Sequence, residues 1–196
     1  MSDVSTIEQE ASLETMQSIL DQQKRAYLAE GEVSFTTRFD RLERAIQVVL
    51  KNERRFVEAM SADFGHRSEH QSLFTDIASS VTPLRHAQKH MKQWMKREKR
   101  SLTPALLGLF GAKAWIDYQP LGVVGVISPW NFPVNLTFAP LAGVLSAGNR
   151  VMIKPSEYSP QTSAAMAAAI AAEFDQDEIA VVTGGPATGA DFSGLA

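Results

Sequence analysis

The chain has 196 residues, 44% of them apolar, and a formal net charge of −3. That is enough for a real core, as one large domain or two small ones, and leaves no global charge to draw the chain to nucleic acid or an anionic membrane. It contains no cysteine, which excludes a disulfide framework, a thiolate metal site and a cysteine nucleophile within these residues.

The N-terminus carries Asp3, Glu8 and Glu10 before any apolar run, unlike a secretory signal and too acidic for a transit peptide, so a cytoplasmic location is expected. Leu13, Met16, Leu20 and Tyr27 then fall at helical spacing, with Gly31 as a stop. Thr36 or Thr37 is the expected cap of a second helix that presents Leu42, Ile46 and Val49. A third helix restarts at Asn52, buries Phe56, Val57 and Met60, and stops at Gly65. Leu73, Ile77, Val81 and Leu84 continue the pattern towards Met91, Trp94 and Met95, with a kink expected at Pro83. Residues 101–112 read as a connector, and the division expected is a helical region 1–112 followed by an α/β region 113–196.

From Tyr118 to Asn149 there is no charged residue. A membrane span is disfavoured because Pro120, Pro129, Pro133 and Pro140 interrupt the stretch and Asn131 and Asn135 sit inside it. A buried strand and helix fit better. Ala114–Tyr118 reads as a strand, and Val123–Ile127 as a buried, β-branched one. Pro133 suits the first position of the next helix, which is apolar on most sides and ends near Gly148-Asn149. Val151–Ile153 is a second such strand, Thr162–Phe174 a helix, and Ile179–Val182 a third strand, followed by Gly184-Gly185-Pro186 and a short tail. The result is β-α-β-α-β with parallel strands, the opening part of a doubly wound sheet. Its open strand edges predict that the isolated chain is poorly soluble or oligomeric.

Two motifs flank the apolar helix: Ser128-Pro129-Trp130-Asn131-Phe132-Pro133 and Ile153-Lys154-Pro155-Ser156-Glu157. Both follow strand C-terminal ends, where open α/β sheets bind ligands. An amide at Asn131 suits donation to an oxygen that gains negative charge; it equally suits a cap of the turn. Lys154 and Glu157 suit the two hydroxyls of a ribose, or form a surface ion pair of small worth.

Together with Asn135-Leu136-Thr137 and Leu145-Ser146-Ala147-Gly148-Asn149, these motifs resemble the signature of the aldehyde dehydrogenase superfamily. Within it the fatty and aromatic aldehyde branch, bacterial coniferyl-aldehyde dehydrogenases included, looks most similar, and the resemblance runs from about residue 15 onwards. It implies oxidation of an aldehyde to its acid with NAD or NADP. A cysteine attacks the aldehyde, an asparagine matched by Asn131 stabilises the oxyanion, and a glutamate activates water. Lys154 and Glu157, with Pro155 and Ser156 between them, match residues at the adenosine ribose. Ile127, Ser128, Pro129 and Trp130 match backbone lining the cofactor cleft, and Gly184 and Gly185 a turn near the adenine. The nucleophile and the general base have no counterpart here, so the chain reads as the N-terminal portion of such an enzyme, inactive alone and a homodimer when whole. The rival reading is a non-catalytic nucleotide-binding or interaction module.

Weaker signals remain. His66-Arg67-Ser68-Glu69-His70 has zinc-protease spacing if helical, but shows no third ligand; no metal is expected. Lys89, Lys92, Lys96, Arg97, Lys99 and Arg100 surround Trp94 and read as an exposed helix end rather than a nucleic-acid surface. Gly184-x-x-x-x-Gly189 is followed by Ala190, so it is no P-loop, and no Gly-x-Gly-x-x-Gly occurs.

Overall fold

The structure, a computed structural model, describes residues 10–195. Helix α1 (Leu13–Glu30) opens with the Ser12 hydroxyl accepting from the Thr15 N–H and ends at Gly31, whose φ of 68° suits glycine. Helix α2 (Phe35–Lys51) is capped by Ser34, not by Thr36 or Thr37 as the sequence suggested. A cap must be extended with its hydroxyl turned back, and Ser34, at φ −67° and ψ 159°, accepts from the Thr37 N–H at 3.1 Å. Helix α3 (Glu53–Phe64) stops at left-handed Gly65 as predicted.

A short helix α4 (Glu69–Ser72) passes through one π turn (Leu73–Ala78) into α5 (Ser79–Trp94). Helix α5 continues through Pro83. A proline forfeits one N–H, and a wide turn leaves carbonyls badly served. Here the hydroxyls of Ser79, Ser80 and Thr82 donate to the carbonyls of Thr75, Asp76 and Ala78.

Lys89 and Lys92 lie at the end of α5 as expected, but the rest of the basic run does not extend that helix. Glu98–Arg100 is a strand, β1, antiparallel to β2 (Ala114–Ile116), with a 3-10 helix (Ala105–Phe110) in their connection. The helix ends at Trp94, and Arg97 then pairs with Asp117 at 3.0 Å and lies over the Trp115 ring, which holds the strand in place.

The main sheet is parallel, ordered β3 (Val123–Ile127), β4 (Arg150–Lys154), β5 (Ile179–Val181). Central β4 is buried along its whole length, and its side chains alternate between two cores. Val151 and Ile153 join Val126 under α6 (Asn135–Ser146), α7 (Pro160–Ala171), α2, α3 and α5. Met152 faces the other way, with Ala180 and Val182, against Met16, Ile19 and Leu20 of α1 and Phe192. Phe192 belongs to a helix, α8 (Pro186–Ser193), where the sequence suggested a tail. Pro186 opens it, and Thr188 and Phe192 supply its buried face; the intervening Gly189 blurs that period.

At the amino edge of the sheet the charges are paired. Arg41, 4% exposed, bonds Glu30 and Glu178; Arg44 bonds Glu178 and Asp40; Arg150 bonds Glu30 and the Asp177 carbonyl. Burial alone would raise the Glu178 carboxyl, but hydrogen bonds from Arg44 and Arg41 outweigh it and hold it at about 2. Among the described residues no helix is long and apolar enough to cross a membrane.

Candidate functional site

Register decides what meets at the carboxyl edge. Ile127 pairs with Lys154, the Ser128 N–H donates to the Lys154 carbonyl at 3.0 Å, and the Val182 N–H donates to the Ile153 carbonyl at 2.8 Å. Three loops therefore leave the sheet side by side: Ser128–Pro133, Pro155–Ser159 and Thr183–Gly185. The sequence-predicted residues Ile127, Ser128, Pro129, Trp130, Asn131, Lys154, Pro155, Ser156, Glu157, Gly184 and Gly185 all lie on this edge.

In the first loop Ser128 is buried, and the Thr137 hydroxyl sits between its Oγ (2.8 Å) and the Pro133 carbonyl (2.7 Å). Helix α6 is assigned from Asn135, but the Leu136 N–H already donates to the Phe132 carbonyl, so Pro133 occupies the opening turn as expected. Ile127, Pro129, Trp130 and Asn131 are exposed. Among the described residues the Asn131 side-chain amide has no hydrogen-bond partner, so it is not spent on capping; its own carbonyl accepts from Arg67 Nη1 at 2.9 Å.

In the second loop Lys154 donates to Glu157 at 2.6 Å. Only one half of it fits the surface pair that the sequence left as an alternative: the Lys154 side chain is 4% exposed, that of Glu157 29%. The hydrogen bond from Lys154, helped by the Glu157 N–H, holds the Glu157 carboxyl below its ordinary range. Ser156 is buried, its hydroxyl accepting from the Tyr158 N–H and its carbonyl from the Ser163 hydroxyl. The third loop approaches Thr188 so closely that a Cβ on Gly184 would collide with that hydroxyl. Between these last two loops, against Pro160 and Ser163, lies a cleft of about 170 Å³. A larger recess of about 310 Å³, beside Tyr27, Trp94 and Tyr118, contains none of the predicted site residues.

The sequence missed how the helix ends facing this edge are satisfied. Asp76 Oδ1 accepts from the Val134 and Asn135 N–H groups at α6, and Asp63 from the Gln161 and Thr162 N–H groups at α7. Glu10 accepts from the Gly185 N–H at α8. Each amino terminus thus already holds a carboxylate of the protein. The histidine motif is not one helix face: His66 lies in the loop before α4, at φ 81°.

A family model described as aldehyde dehydrogenase family matches residues 3–194. The chain belongs to the aldehyde dehydrogenase family. A probable coniferyl aldehyde dehydrogenase of Caulobacter vibrioides is 53% identical over 92% of this chain, and a coniferyl aldehyde dehydrogenase of Pseudomonas sp. 48% over the same share. A solved aldehyde dehydrogenase-family neighbour, the substrate-bound state of AldH from Staphylococcus aureus, superposes on 89% of the chain with a TM-score of 0.82 at 27% identity. The chain spans 37% of the length of the Caulobacter relative and 36% of the Pseudomonas one. The fold is accordingly an incomplete aldehyde dehydrogenase fold.

Proposed function

We propose that this chain supplies the cofactor side of an enzyme that oxidises an aldehyde, aromatic such as coniferyl aldehyde or fatty, to its acid with NAD or NADP. The observation that carries this reading is the pairing, on one sheet edge, of an exposed Asn131 amide with the half-buried Lys154–Glu157 pair beside a cleft. The residues present fit a dinucleotide. Lys154 and Glu157 offer a donor and an acceptor to ribose hydroxyls, and Pro155, Ser156, Gly184 and Gly185 leave a surface that a flat base can approach. Ile127, Ser128, Pro129 and Trp130 line the path towards Asn131. When bound, the nicotinamide supplies the oxidising equivalent.

Asn131 acts on the substrate. As the aldehyde carbon is attacked, its oxygen gains negative charge, and the side-chain amide donates to it. The attacking thiol and the base that activates water belong to residues outside this cysteine-free sequence. The carboxylate of Glu157 disfavours a 2′-phosphate by charge, which favours NAD. Residues 1–112 serve as a mainly helical region, whose strand β1 reaches across to β2, and 113–196 as the nucleotide half; the whole enzyme is a cytoplasmic homodimer. The absence of cysteine favours a second reading for the chain by itself, a non-catalytic nucleotide-binding or interaction module.

The test compares this chain with a polypeptide extended to the length of its relatives. Aldehyde-dependent NADH and NADPH production is read with coniferyl and a fatty aldehyde. Turnover in the extended protein alone supports the first reading and identifies the cofactor. No turnover in either, with nucleotide still bound, supports the second.

A further inference from the structure

The loop that carries Asn131 is held by a buried ion pair that belongs to neither the sheet nor α6. Arg67, 6% exposed, and Asp76, fully buried, are joined through Nη2 and Oδ2 at 2.5 Å. Each has a second hand on the loop. Arg67 Nη1 donates to the Asn131 carbonyl at 2.9 Å, and Asp76 Oδ1 accepts from the Val134 N–H at 3.2 Å and the Asn135 N–H at 3.3 Å. The guanidinium also lies over the rings of Phe64 and Phe132, and Phe64 leans on Trp130. One pair therefore grips the loop before, at and after Asn131.

The start of α6 calls for an acceptor, which Asp76 supplies, but it does not call for a buried guanidinium beside it. A buried ion pair often stabilises no more than an apolar one of equal volume, because desolvation cancels its attraction. Burial indeed pushes the Asp76 carboxyl up, against the pull of the Asn135 N–H, Arg67 and the Val134 N–H. What the pair gives is direction: a planar fork holds two acceptors in set directions, whereas the donors of an ammonium rotate. Asp76 stands in the single π turn between α4 and α5, a kind of turn that is frequent at functional sites. The same π turn supplies Thr75, whose hydroxyl lies 3.3 Å from both Arg67 and Asp76.

We infer that Arg67 and Asp76 are positioning residues for the Asn131 amide, fixing its loop before the aldehyde arrives. This rests on the reading of Asn131 as the oxyanion donor. An amide that must reorganise as charge develops loses much of its worth, so a loosened loop lowers kcat while leaving the cofactor cleft alone.

The test uses the extended enzyme with Arg67→Lys, which keeps charge without the fork, and Asp76→Asn, which keeps an acceptor for the two amides. Exposed Arg54→Ala is the control. Two readouts are taken. Hydrogen exchange of residues 128–137 reports whether the pair holds the loop, whatever the enzyme's activity. Steady-state kinetics, alone and combined with Asn131→Ala, reports whether that hold serves catalysis. Expected are faster exchange in residues 128–137 and a fall in kcat on the order of tenfold with cofactor KM within about twofold. No further fall is expected when Arg67→Lys is added to Asn131→Ala. Unchanged exchange overturns the inference, and so does an equal loss from Arg67→Lys in both backgrounds, the mark of a merely structural role. A wild-type enzyme without turnover defeats the proposed function, while the exchange experiment still decides whether the pair grips the loop.

Discussion

The two edges of one three-stranded sheet handle charge in opposite ways. At the amino edge every arginine of the cluster meets carboxylates: Arg41 and Arg150 share Glu30, and Arg41 and Arg44 share Glu178. At the carboxyl edge Asp63, Asp76 and Glu10 are spent on helix ends, while other polar groups keep capacity over. Asn131 has an exposed amide, and Lys154 and Glu157 meet beside a cleft. The amino-edge charges are spent on one another, with Arg41 Nη1 and Arg150 Nε left over among the described residues, whereas the carboxyl edge keeps an exposed amide free.

The strongest way to break this contrast is at Asn131. In the extended enzyme Asn131→Ala should lower kcat by about 10²–10³-fold and leave the thermal melt within about 0.5 kcal/mol of wild type. A variant that melted early but turned over normally would reverse the assignment of the two edges. The opposite behaviour is expected at Glu178. Its carboxyl lies at about 2 against an ordinary value of 4.5, so its contribution is complete above pH 4.5 and is lost as pH falls towards 2. Glu178→Gln should therefore cost about 2–3 kcal/mol at pH 7, measured by urea unfolding, and much less near pH 3, with catalysis per folded molecule unchanged.

Three smaller effects sharpen the picture. Asp63→Ala removes three bonds at the start of α7, from the Gln161 and Thr162 N–H groups and the Thr162 hydroxyl. It should cost about 1–2 kcal/mol in the same assay, showing that a carboxylate at the carboxyl edge can be purely structural. Glu157→Gln should shift the NADP-to-NAD ratio of kcat/KM upward by about fivefold, since only charge is removed. Gly125→Ala places a methyl 3.0 Å from the Phe192 ring. The α1–α8 layer must then give way, at about 1 kcal/mol, read as a lowered melting temperature.

Much of this was legible in the sequence where local chemistry decides the outcome. The stops at Gly31 and Gly65 and the two loop motifs need only neighbours a few residues away; Val123–Ile127 is a strand as expected, but only Val126 in it is buried, because the strand lies at the edge of the sheet. The register Ile127 to Lys154 then brings the motif residues together, because parallel strands of equal length align their carboxyl ends. What escaped depends on distance. Asp63 caps a helix 98 residues later, and Asp76 one 58 residues later. No periodicity marks such a carboxylate as different from a solvated one. Arg67 was hidden inside a histidine pattern that drew attention to its neighbours. The strand Glu98–Arg100 escaped because its charged residues look solvated until Trp115 and Asp117 are seen opposite. Helix α8 escaped because Gly184, Gly185, Gly189 and Gly194 outweigh its two buried anchors.

The carboxylates lodged at the starts of α6, α7 and α8 also say how a dinucleotide should be weighed by this surface. Helix amino termini usually offer their free N–H groups to a pyrophosphate; here Asp76 and Asp63 already engage those of α6 and α7, and Glu10 engages the Gly185 N–H at α8. Affinity at this edge should then come from sugar and base and owe little to phosphate. In a titration series, adenosine should bind this chain about as tightly as the intact dinucleotide, with only a shallow dependence on added salt.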